Sequence, residues 1–219
     1  MISKRLKEIA NLIPNNSKVI DVGCDHGLLD IYLTQNKNCK CIASDISEKV
    51  LKNTKENIDK YNLTNKIEII CSDGLNNINN EAYDTLVISG MGTTTIINIL
   101  NNKKVKQFEN LIIQSNNDLE VLRKNIIKLG YYISNEKIIL DKNKYYVIIK
   151  FKKGMKKYKS FDYLFGPIAR IDENNKDYFK KMLDKNKCIY NKLSKKHIML
   201  KLKIKKNIYN IKKFTCVKM

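Results

Sequence analysis

The chain has 219 residues and carries 42 Lys and Arg against 22 Asp and Glu, which gives a formal net charge of +20. Its 43% hydrophobic content supports a folded core and excludes a wholly disordered chain, while 8 Gly and 2 Pro exclude collagen-like and proline-rich sequences. The length allows one domain with a small appendage, and the strong positive field favours a polyanionic partner.

The sequence has no segment typical of a membrane or secreted protein. No stretch reaches the roughly 18 apolar residues of a membrane span, and the first residues form no secretory signal. They predict instead a short amphipathic helix with Ile2, Leu6, Ile9 and Ile13 on one face. The cysteines form no C-x-x-C pair, so we expect reduced thiols, no metal and a cytoplasmic protein. They are Cys24, Cys39, Cys41, Cys71, Cys188 and Cys216.

From Lys18 to about Phe151, short apolar runs alternate with amphipathic stretches. The predicted strands are 18–22, 39–44, 66–71, 83–89 and 110–114, and the predicted helices are 26–35, 47–61, 93–100 and 118–129. This alternation predicts a parallel sheet covered by helices on both faces. Two further strands, 131–140 and 144–151, are separated by three residues and predict an antiparallel hairpin at the end of the sheet.

The composition and the pattern of apolar residues change after Phe151. A basic linker leads to a turn at Gly166-Pro167, and from about Asn174 apolar residues recur at helical spacing with lysines between them. We expect a helical hairpin or short coiled coil there. The resulting domain organisation is an α/β domain over residues 1–157 and a helical domain over residues 158–219.

The turn after the first strand reads Asp21-Val22-Gly23-Cys24-Asp25-His26-Gly27. A glycine-rich turn between a strand and a helix brings backbone N–H groups close to a ligand. The spacing differs from G-x-G-x-x-G, and an acidic residue two positions before the first glycine suits a cationic amine or sulfonium better than a pyrophosphate. An ordinary strand-to-helix turn capped by Asp25 is the alternative.

Two more carboxylates follow strands. Asp45, next to Ile46, follows the second strand and is placed to accept hydrogen bonds from ribose hydroxyls, and Asp73, next to Gly74, follows the third strand and can accept from an adenine amino group. Each alone is more typical of a helix cap or turn. With Asp21 they give three carboxylates at the carboxyl ends of neighbouring strands, which favours a nucleoside site.

The fourth and fifth strands end in residues suited to a planar substrate. Ser89-Gly90-Met91-Gly92 opens space at the end of one strand, and Gln114 to Asn117 offers amide groups to a base edge, although close packing and a polar loop are the alternatives. His26 is either a general base or, more simply, a residue that opens a helix. Neither a catalytic triad, nor a P-loop, nor a His/Cys metal cluster is visible.

The sheet plan with its terminal hairpin resembles the class I S-adenosylmethionine-dependent methyltransferases. More narrowly, the chain resembles the bacterial TrmK family, which methylates N1 of adenine 22 in tRNA. The motifs that carry this resemblance are 21–27, Ser44-Asp45-Ile46, Ser72-Asp73-Gly74, 88–92, 111–114, Leu122-Arg123 and Lys144-Tyr145-Tyr146. The family usually has Ser at 24, Ala-Tyr-Leu-Pro at 27–30, Gly at 93 and Pro at 115, and this chain departs from it there.

The resemblance implies S-adenosylmethionine as cofactor and tRNA as substrate and partner. We expect a monomeric enzyme without a metal, and the lysines of the helical domain predict that this domain binds tRNA. We assign Asp25, Gly90 and Met91 to catalysis. The cofactor residues are Asp21, Gly23, Cys24, His26, Asp45, Ile46, Asp73, Gly74, Ser89 and Gly90. The substrate residues are Arg5, Gly92, Gln114, Asn116, Lys195 and Lys196.

Three other functions remain open from the sequence. The chain could methylate another RNA position, a small molecule or a protein; it could bind RNA without catalysis on a Rossmann-like core; or it could be a dehydrogenase, which Asp21 and the terminal hairpin disfavour. N1 of neutral adenine carries an in-plane lone pair, so methyl transfer to it needs alignment more than a strong base. The target adenine must be unpaired or extruded from a duplex for its N1 to be reached.

Overall fold

The structure is a computed structural model that describes residues 2–79, 81–194 and 196–217. The chain divides into two compact units, Met1–Lys156 and Lys157–Met219. The division lies one residue from the boundary predicted at 157.

The first unit is built on one seven-stranded sheet with the strand order β3-β2-β1-β4-β5-β7-β6. The strands are β1 Lys18–Val22, β2 Lys40–Asp45, β3 Ile67–Cys71, β4 Thr85–Met91, β5 Asn110–Ser115, β6 Tyr131–Asp141 and β7 Lys144–Lys153. β1 to β5 pair in parallel, whereas β7 pairs antiparallel with both β5 and β6. The predicted Rossmann-like sheet with an antiparallel terminal hairpin is confirmed.

Five helices accompany this sheet within the described residues of the first unit, and two of them begin at serine caps. They are α1 Lys4–Leu12, α2 Leu28–Lys37, α3 Glu48–Lys60, α4 Thr93–Leu100 and α5 Leu119–Lys128, with a 3-10 turn at Lys103–Gln107. The Ser3 hydroxyl accepts from the Leu6 amide at the start of α1, and the Ser47 hydroxyl does the same for Val50 at the start of α3. Buried aliphatic side chains fill the space between these helices and the sheet.

Most boundaries differ from the sequence prediction by one or two residues, and three of the differences have a clear local reason. α2 begins at Leu28 rather than 26, because Gly27 adopts a left-handed conformation with φ +68°. β4 continues past 89 to Met91 through an irregularity at which Gly90 has φ +84°. β6 and β7 are joined by only Lys142 and Asn143, both at positive φ, which is the primed turn that suits a twisted hairpin.

The second unit is helical. It contains α6 Ser160–Phe165, α7 Lys176–Lys192 and α8 Ile198–Phe214, with 3-10 turns at Ala169–Ile171 and Glu173–Asn175. The helical hairpin predicted after 174 is present as α7 and α8, whereas the sequence reading had no helix at α6. Apolar side chains at helical spacing form the core of this unit, among them Phe179, Leu183, Ile204 and Ile211.

In the part of the chain that the structure describes, no helix combines the length and the apolar character needed to cross a membrane. All six cysteines lie within this part, and none is bonded to another. Four of them are buried, whereas Cys71 and Cys188 are exposed.

Candidate active site

The candidate site lies where the strand order of the sheet reverses. β1 pairs with β2 on one side and with β4 on the other, so the chain leaves the carboxyl ends of these strands in opposite directions and opens a crevice. Two cavities of about 400 Å³ and 330 Å³ occupy this crevice. Gly23, Asp45 and Met91 line both of them, so the cavities are adjoining parts of one site.

The glycine-rich turn after β1 is held against the end of β2. The backbone amides of Gly23 and Cys24 both donate to the Ser44 carbonyl, at 2.8 and 3.0 Å. The Gly27 amide donates to the Cys24 carbonyl at 2.9 Å, which closes the turn. Three amides of this turn are therefore engaged within the protein, and Gly23 itself requires a backbone with φ +80°.

The larger cavity brings together the predicted nucleoside residues. Asp45, Ile46, Asp73 and Gly74 all line it. Asp45 is the last residue of β2, and one of its carboxylate oxygens accepts from the Ser47 amide at 3.0 Å. Its other oxygen accepts no hydrogen bond from the described residues.

A lysine that the sequence reading did not select supports the wall of this cavity. The Lys104 ammonium donates to the carbonyls of Leu75, Asn76 and Ile78 at 3.1, 3.1 and 2.7 Å. Three carbonyls converging on one ammonium fix the loop that follows Asp73. Nothing in the sequence around position 104 indicates this role, because the contact spans about 26 to 29 residues.

The smaller cavity contains a buried carboxyl group. Asp21 lines this cavity at only 3% exposure, and its Oδ1 has no hydrogen-bond partner among the described residues. Burial raises the pKa of Asp21 to about 7, against the lowering effect of the Arg5 charge, and the Asp45 charge raises it further. An orphaned, buried carboxyl group in a cavity is suited to a cationic ligand group.

A chain of hydrogen bonds connects the N-terminal helix to the end of β4. Arg5 Nη1 donates to Gln114 Oε1 at 2.7 Å, and Gln114 Nε2 donates to Asn116 Oδ1 at 3.4 Å. Asn116 Nδ2 then donates to the Gly90 carbonyl at 2.7 Å. Arg5 also lies against Gly90, with Nη1 3.2 Å from the point where a β carbon would project. These residues, selected separately from the sequence, therefore act as one group.

Asp25 and His26 lie at the tip of the turn with their side chains largely in solvent. The two side chains are 78% and 51% exposed, and Asp25 Oδ1 lies 3.6 Å from His26 Nε2. Their backbone carbonyls are held by side chains of α3, since Thr54 Oγ1 donates to Asp25 and Asn57 Nδ2 donates to His26. Both residues line the smaller cavity, and His26 precedes α2.

The sequence reading missed the burial of Asp30. This residue lies in the first turn of α2 at 0% exposure, and neither carboxyl oxygen has a hydrogen-bond partner among the described residues. Burial and the neighbouring Asp21 raise its pKa well above the usual range, and burial likewise raises that of Cys24. An Asp in the first turn of a helix is normally exposed and stabilised by the helix dipole, so its burial was not predictable from the local pattern.

Most of the other residues predicted from the sequence line the smaller cavity. Ser89, Gly90, Met91 and Cys24 line the smaller cavity, whereas Gly92 lies beyond them as the N-cap of α4. Lys196 is exposed in the second unit, and Lys195 lies outside the described residues. The described ranges contain no group of three or more His, Cys, Asp or Glu side chains that could hold a metal ion.

Comparison with known proteins places this geometry in context. Residues 2–149 match the family described as a methyltransferase domain. A Mycoplasma genitalium protein described as a tRNA methyltransferase is 34% identical over 163 residues, which cover 72% of this chain and 73% of that protein. The tRNA (adenine(22)-N(1))-methyltransferase of Bacillus subtilis is 32% identical over 156 residues, which cover 70% of this chain and 66% of that protein.

Solved structures agree over nearly the whole chain. The M. capricolum TrmK structure, a complex with S-adenosyl-homocysteine, has 31% identity and a TM-score of 0.87 over 98% of this chain and 97% of that one. A Streptococcus pneumoniae protein described as a tRNA (m1A22) methyltransferase, in complex with S-adenosyl-L-methionine, has 27% identity and a TM-score of 0.88. That match covers 98% of this chain and 99% of that one.

Proposed function

The chain belongs to the methyltransferase-domain family, and we propose that within it this protein is the TrmK-type enzyme that methylates N1 of adenine 22 in tRNA with S-adenosylmethionine. The observation that carries the proposal is the two-part crevice at the strand-order reversal. Its walls combine carboxylates that suit a nucleoside with the buried Asp21, whose Oδ1 has no hydrogen-bond partner among the described residues.

The residues of the crevice fit S-adenosylmethionine. Asp45 and Asp73 in the larger cavity suit the ribose hydroxyls and the adenine amino group. The orphaned oxygen of Asp21 in the smaller cavity suits the cationic amino-acid end of the cofactor. Gly23 has no side chain, so the backbone there can come close to a cofactor that extends from one cavity into the other. The bound cofactor supplies an electrophilic methyl group on a sulfonium sulfur.

The protein's contribution to the chemistry is alignment and charge stabilisation. The N1 lone pair of adenine needs no prior deprotonation, so the site requires no strong base. Asn116 fixes the Gly90 carbonyl, which retains a lone pair for the exocyclic amino group of the target base. Asp25, exposed at the rim of the smaller cavity, is placed to stabilise the positive charge that develops on the methylated ring.

The second unit supplies most of the affinity for tRNA in this proposal. Between residues 157 and 219 the sequence has 18 Lys or Arg and five Asp or Glu, so most of the net charge comes from less than a third of the chain. Lys196, together with Lys195, lies between α7 and α8 in sequence, and exposed lysines such as Lys203, Lys205 and Lys206 lie on α8. Lysine binds phosphate as a point charge, so recognition rests on backbone and shape.

A monomeric state and a cytoplasmic location complete the proposal. A tRNA substrate is found in the cytoplasm, and six unbonded cysteines suit that reducing compartment.

The test is incubation of the full chain with methyl-labelled S-adenosylmethionine and unmodified tRNA, followed by nucleoside analysis. We expect label only in 1-methyladenosine and none in a transcript with guanine at position 22. Label at another RNA position, or in a small molecule without RNA, would show that the protein is a methyltransferase with a different substrate. Binding of tRNA with no cofactor binding would select the non-catalytic reading.

A further inference from the structure

The outward face of α8 presents a tyrosine. Ile204 and Ile211 lie seven residues apart on this helix, and both are buried in the second unit. At about 100° per residue, Tyr209 lies roughly 140° and 160° around the helix axis from these two residues, and it is 55% exposed. An exposed tyrosine by itself is ordinary on a protein surface, so the residues around the ring decide what it can bind.

The four positions that adjoin Tyr209 on the surface of α8 are all lysine. Side chains three and four residues apart are neighbours on a helix, and here these positions hold Lys205, Lys206, Lys212 and Lys213, all exposed. α8 contains no Asp or Glu, and none of the four lysines forms an ion pair with a described residue. The helix dipole accounts for the two lysines in the last turn but not for the other two. Tyr209 is therefore the centre of a positive patch, called the Tyr209 patch below.

Lys213 holds the ring of Tyr209 by its edge. The ammonium donates to the tyrosine hydroxyl at 2.8 Å and lies 5.2 Å from the ring centre, so it lies beyond the hydroxyl rather than above a ring face. No other aromatic ring among the described residues pairs with Tyr209. The ring is thus oriented with its exposed face open, which reduces the entropy that binding of a flat group would cost.

A flat aromatic surface surrounded by cations suits a nucleobase in a strand that carries phosphates on both sides of it. Bases stack on exposed tyrosine rings, and lysines bind the phosphates as point charges. In a duplex the bases are paired and stacked on one another, so only an unpaired base can reach the ring. Resting on the proposed function, we infer that Tyr209 stacks on an unpaired base of the tRNA while the lysines of the Tyr209 patch bind the flanking phosphates. The second unit then distinguishes a folded tRNA from a plain duplex.

A second copy of the chain and an anionic membrane fit the Tyr209 patch less well. Two copies joined through this face would bring their lysines together, and such contact between like charges is unfavourable. A helix that lies on a membrane buries a continuous apolar face. Here the next exposed apolar residue on the same face is Leu202, two turns away, and Lys205 and Lys206 lie between it and Tyr209.

The experiment compares the binding of two RNAs to variants of the full chain, without S-adenosylmethionine and at several salt concentrations. The RNAs are a tRNA transcript and a blunt duplex of similar length that has no unpaired base. We expect Tyr209→Ala to weaken tRNA binding roughly 5- to 150-fold and to change duplex binding less than about twofold. The slope of log K against log salt concentration should stay the same, because the substitution removes no charge.

Two further variants separate the ring from its surroundings. Tyr209→Phe keeps the ring and loses only the hydroxyl contact with Lys213, so it should bind tRNA nearly as well as wild type. Tyr61→Ala is the matched control, because Tyr61 is 46% exposed and has uncharged residues at the same spacings, and it should change neither affinity. These residues are Asn57, Ile58, Thr64 and Asn65. Alanine is a good helix former at an exposed position, and circular dichroism checks that the variants fold.

Equal losses of tRNA and duplex affinity in Tyr209→Ala would overturn the inference, as would a shallower salt slope or unchanged tRNA binding. So would a variant with wild-type tRNA binding that no longer binds vesicles of phosphatidylcholine and phosphatidylserine, or that no longer dimerises in sedimentation. Wild-type protein that binds tRNA through Tyr209 without methylating it would refute the proposed function and leave this inference standing. Wild-type protein that binds no tRNA would refute both.

Discussion

The terminal methyl group of Met91 lies over the α carbon of Gly23, so close that a β carbon at position 23 would overlap it. Both residues line both cavities of the crevice. A ligand that extends from one cavity into the other therefore passes this pair. The backbone at position 23 has φ +80°, which explains why the first turn has glycine there, and the flexible end of Met91 closes over it.

The Gly23→Ala substitution should abolish most cofactor binding. It adds a β carbon where Gly23 lines both cavities and displaces the end of Met91 into them. It also forces alanine into a left-handed backbone, which costs about 1–2 kcal/mol of folding stability. Gly130→Ala is the matched control, because φ is +91° there and no atom lies within 4 Å of the new β carbon. Chemical denaturation should show similar losses of stability, and calorimetry should show weakened S-adenosylmethionine binding only for Gly23→Ala. Comparable S-adenosylmethionine binding by both variants would show that the cofactor does not pass Gly23.

The Asp45→Asn substitution should weaken cofactor binding about 10- to 150-fold, the equivalent of about 1.5–3 kcal/mol for a hydrogen-bonded charge. Asparagine can still accept from the Ser47 amide, so the start of α3 is preserved and the loss reports on the ligand. Asp59→Asn, at an exposed position of α3, is the control. Calorimetry with S-adenosyl-homocysteine measures the effect, and unchanged affinity would show that the ribose is bound elsewhere.

Cofactor affinity should rise with pH through neutrality. The pKa of Asp21 is raised to about 7 in the folded protein, so the carboxyl group ionises, and attracts a cationic ligand, as the pH increases past that value. We expect about a tenfold gain in S-adenosylmethionine affinity between about pH 6 and pH 8. The Asp21→Asn variant should lose this gain, whereas Asp30→Asn should keep it, because Asp30 does not line the cavities.

The same ionisation should act on folding stability in the opposite direction. Because burial raises the pKa of Asp21 above its ordinary value of 3.8, its contribution to stability is complete below that pH and is lost as the pH rises through about 7. The free Asp21→Asn protein should therefore be more stable than wild type at pH 8. Denaturant melts at pH 5 and pH 8 measure the difference, and a constant difference would show that Asp21 does not titrate between them.

The Asp25→Asn substitution should reduce turnover more than cofactor affinity. Its side chain is 78% exposed at the cavity rim, where a neighbouring charge acts on the product-like transition state rather than on the bound cofactor. Single-turnover kinetics at saturating S-adenosylmethionine give the rate, and calorimetry gives the affinity. Reduced cofactor affinity with an unchanged rate would show that Asp25 contributes to cofactor binding and not to catalysis.

Neutralising lysines on α8 should weaken tRNA binding and leave cofactor binding unchanged. The triple variant Lys203→Gln, Lys205→Gln, Lys206→Gln removes three exposed charges. Each lost phosphate contact should reduce the slope of log K for tRNA binding against log salt concentration by about one. The same change at Lys52, Lys55 and Lys60 on α3 removes as many charges from the first unit. If the α3 variant weakens tRNA binding as much, then total charge, and not the second unit, determines the affinity.

The sequence was sufficient for the fold and for much of the crevice. Strand periodicity and the short gap between the last two strands predicted the sheet and its hairpin, and Asp45 and Asp73 were found because carboxyl ends of parallel strands meet at one edge. The burial of Asp30 and the three-carbonyl contact of Lys104 were not predictable in this way. Both depend on which helix face and which distant loop come together, and local pattern carries no information on that.

The contacts of Arg5 also bear on the order of folding. Its hydrogen bonds to Gln114 and Asp141 join segments 109 and 136 residues apart in sequence. Contacts of such separation close long loops, so their entropic cost falls on a late step, after the nearby strand and helix pairs have formed. We therefore expect the guanidinium to reach its place only once the hairpin has been added to the sheet, so that a partly folded first unit lacks that side of the crevice.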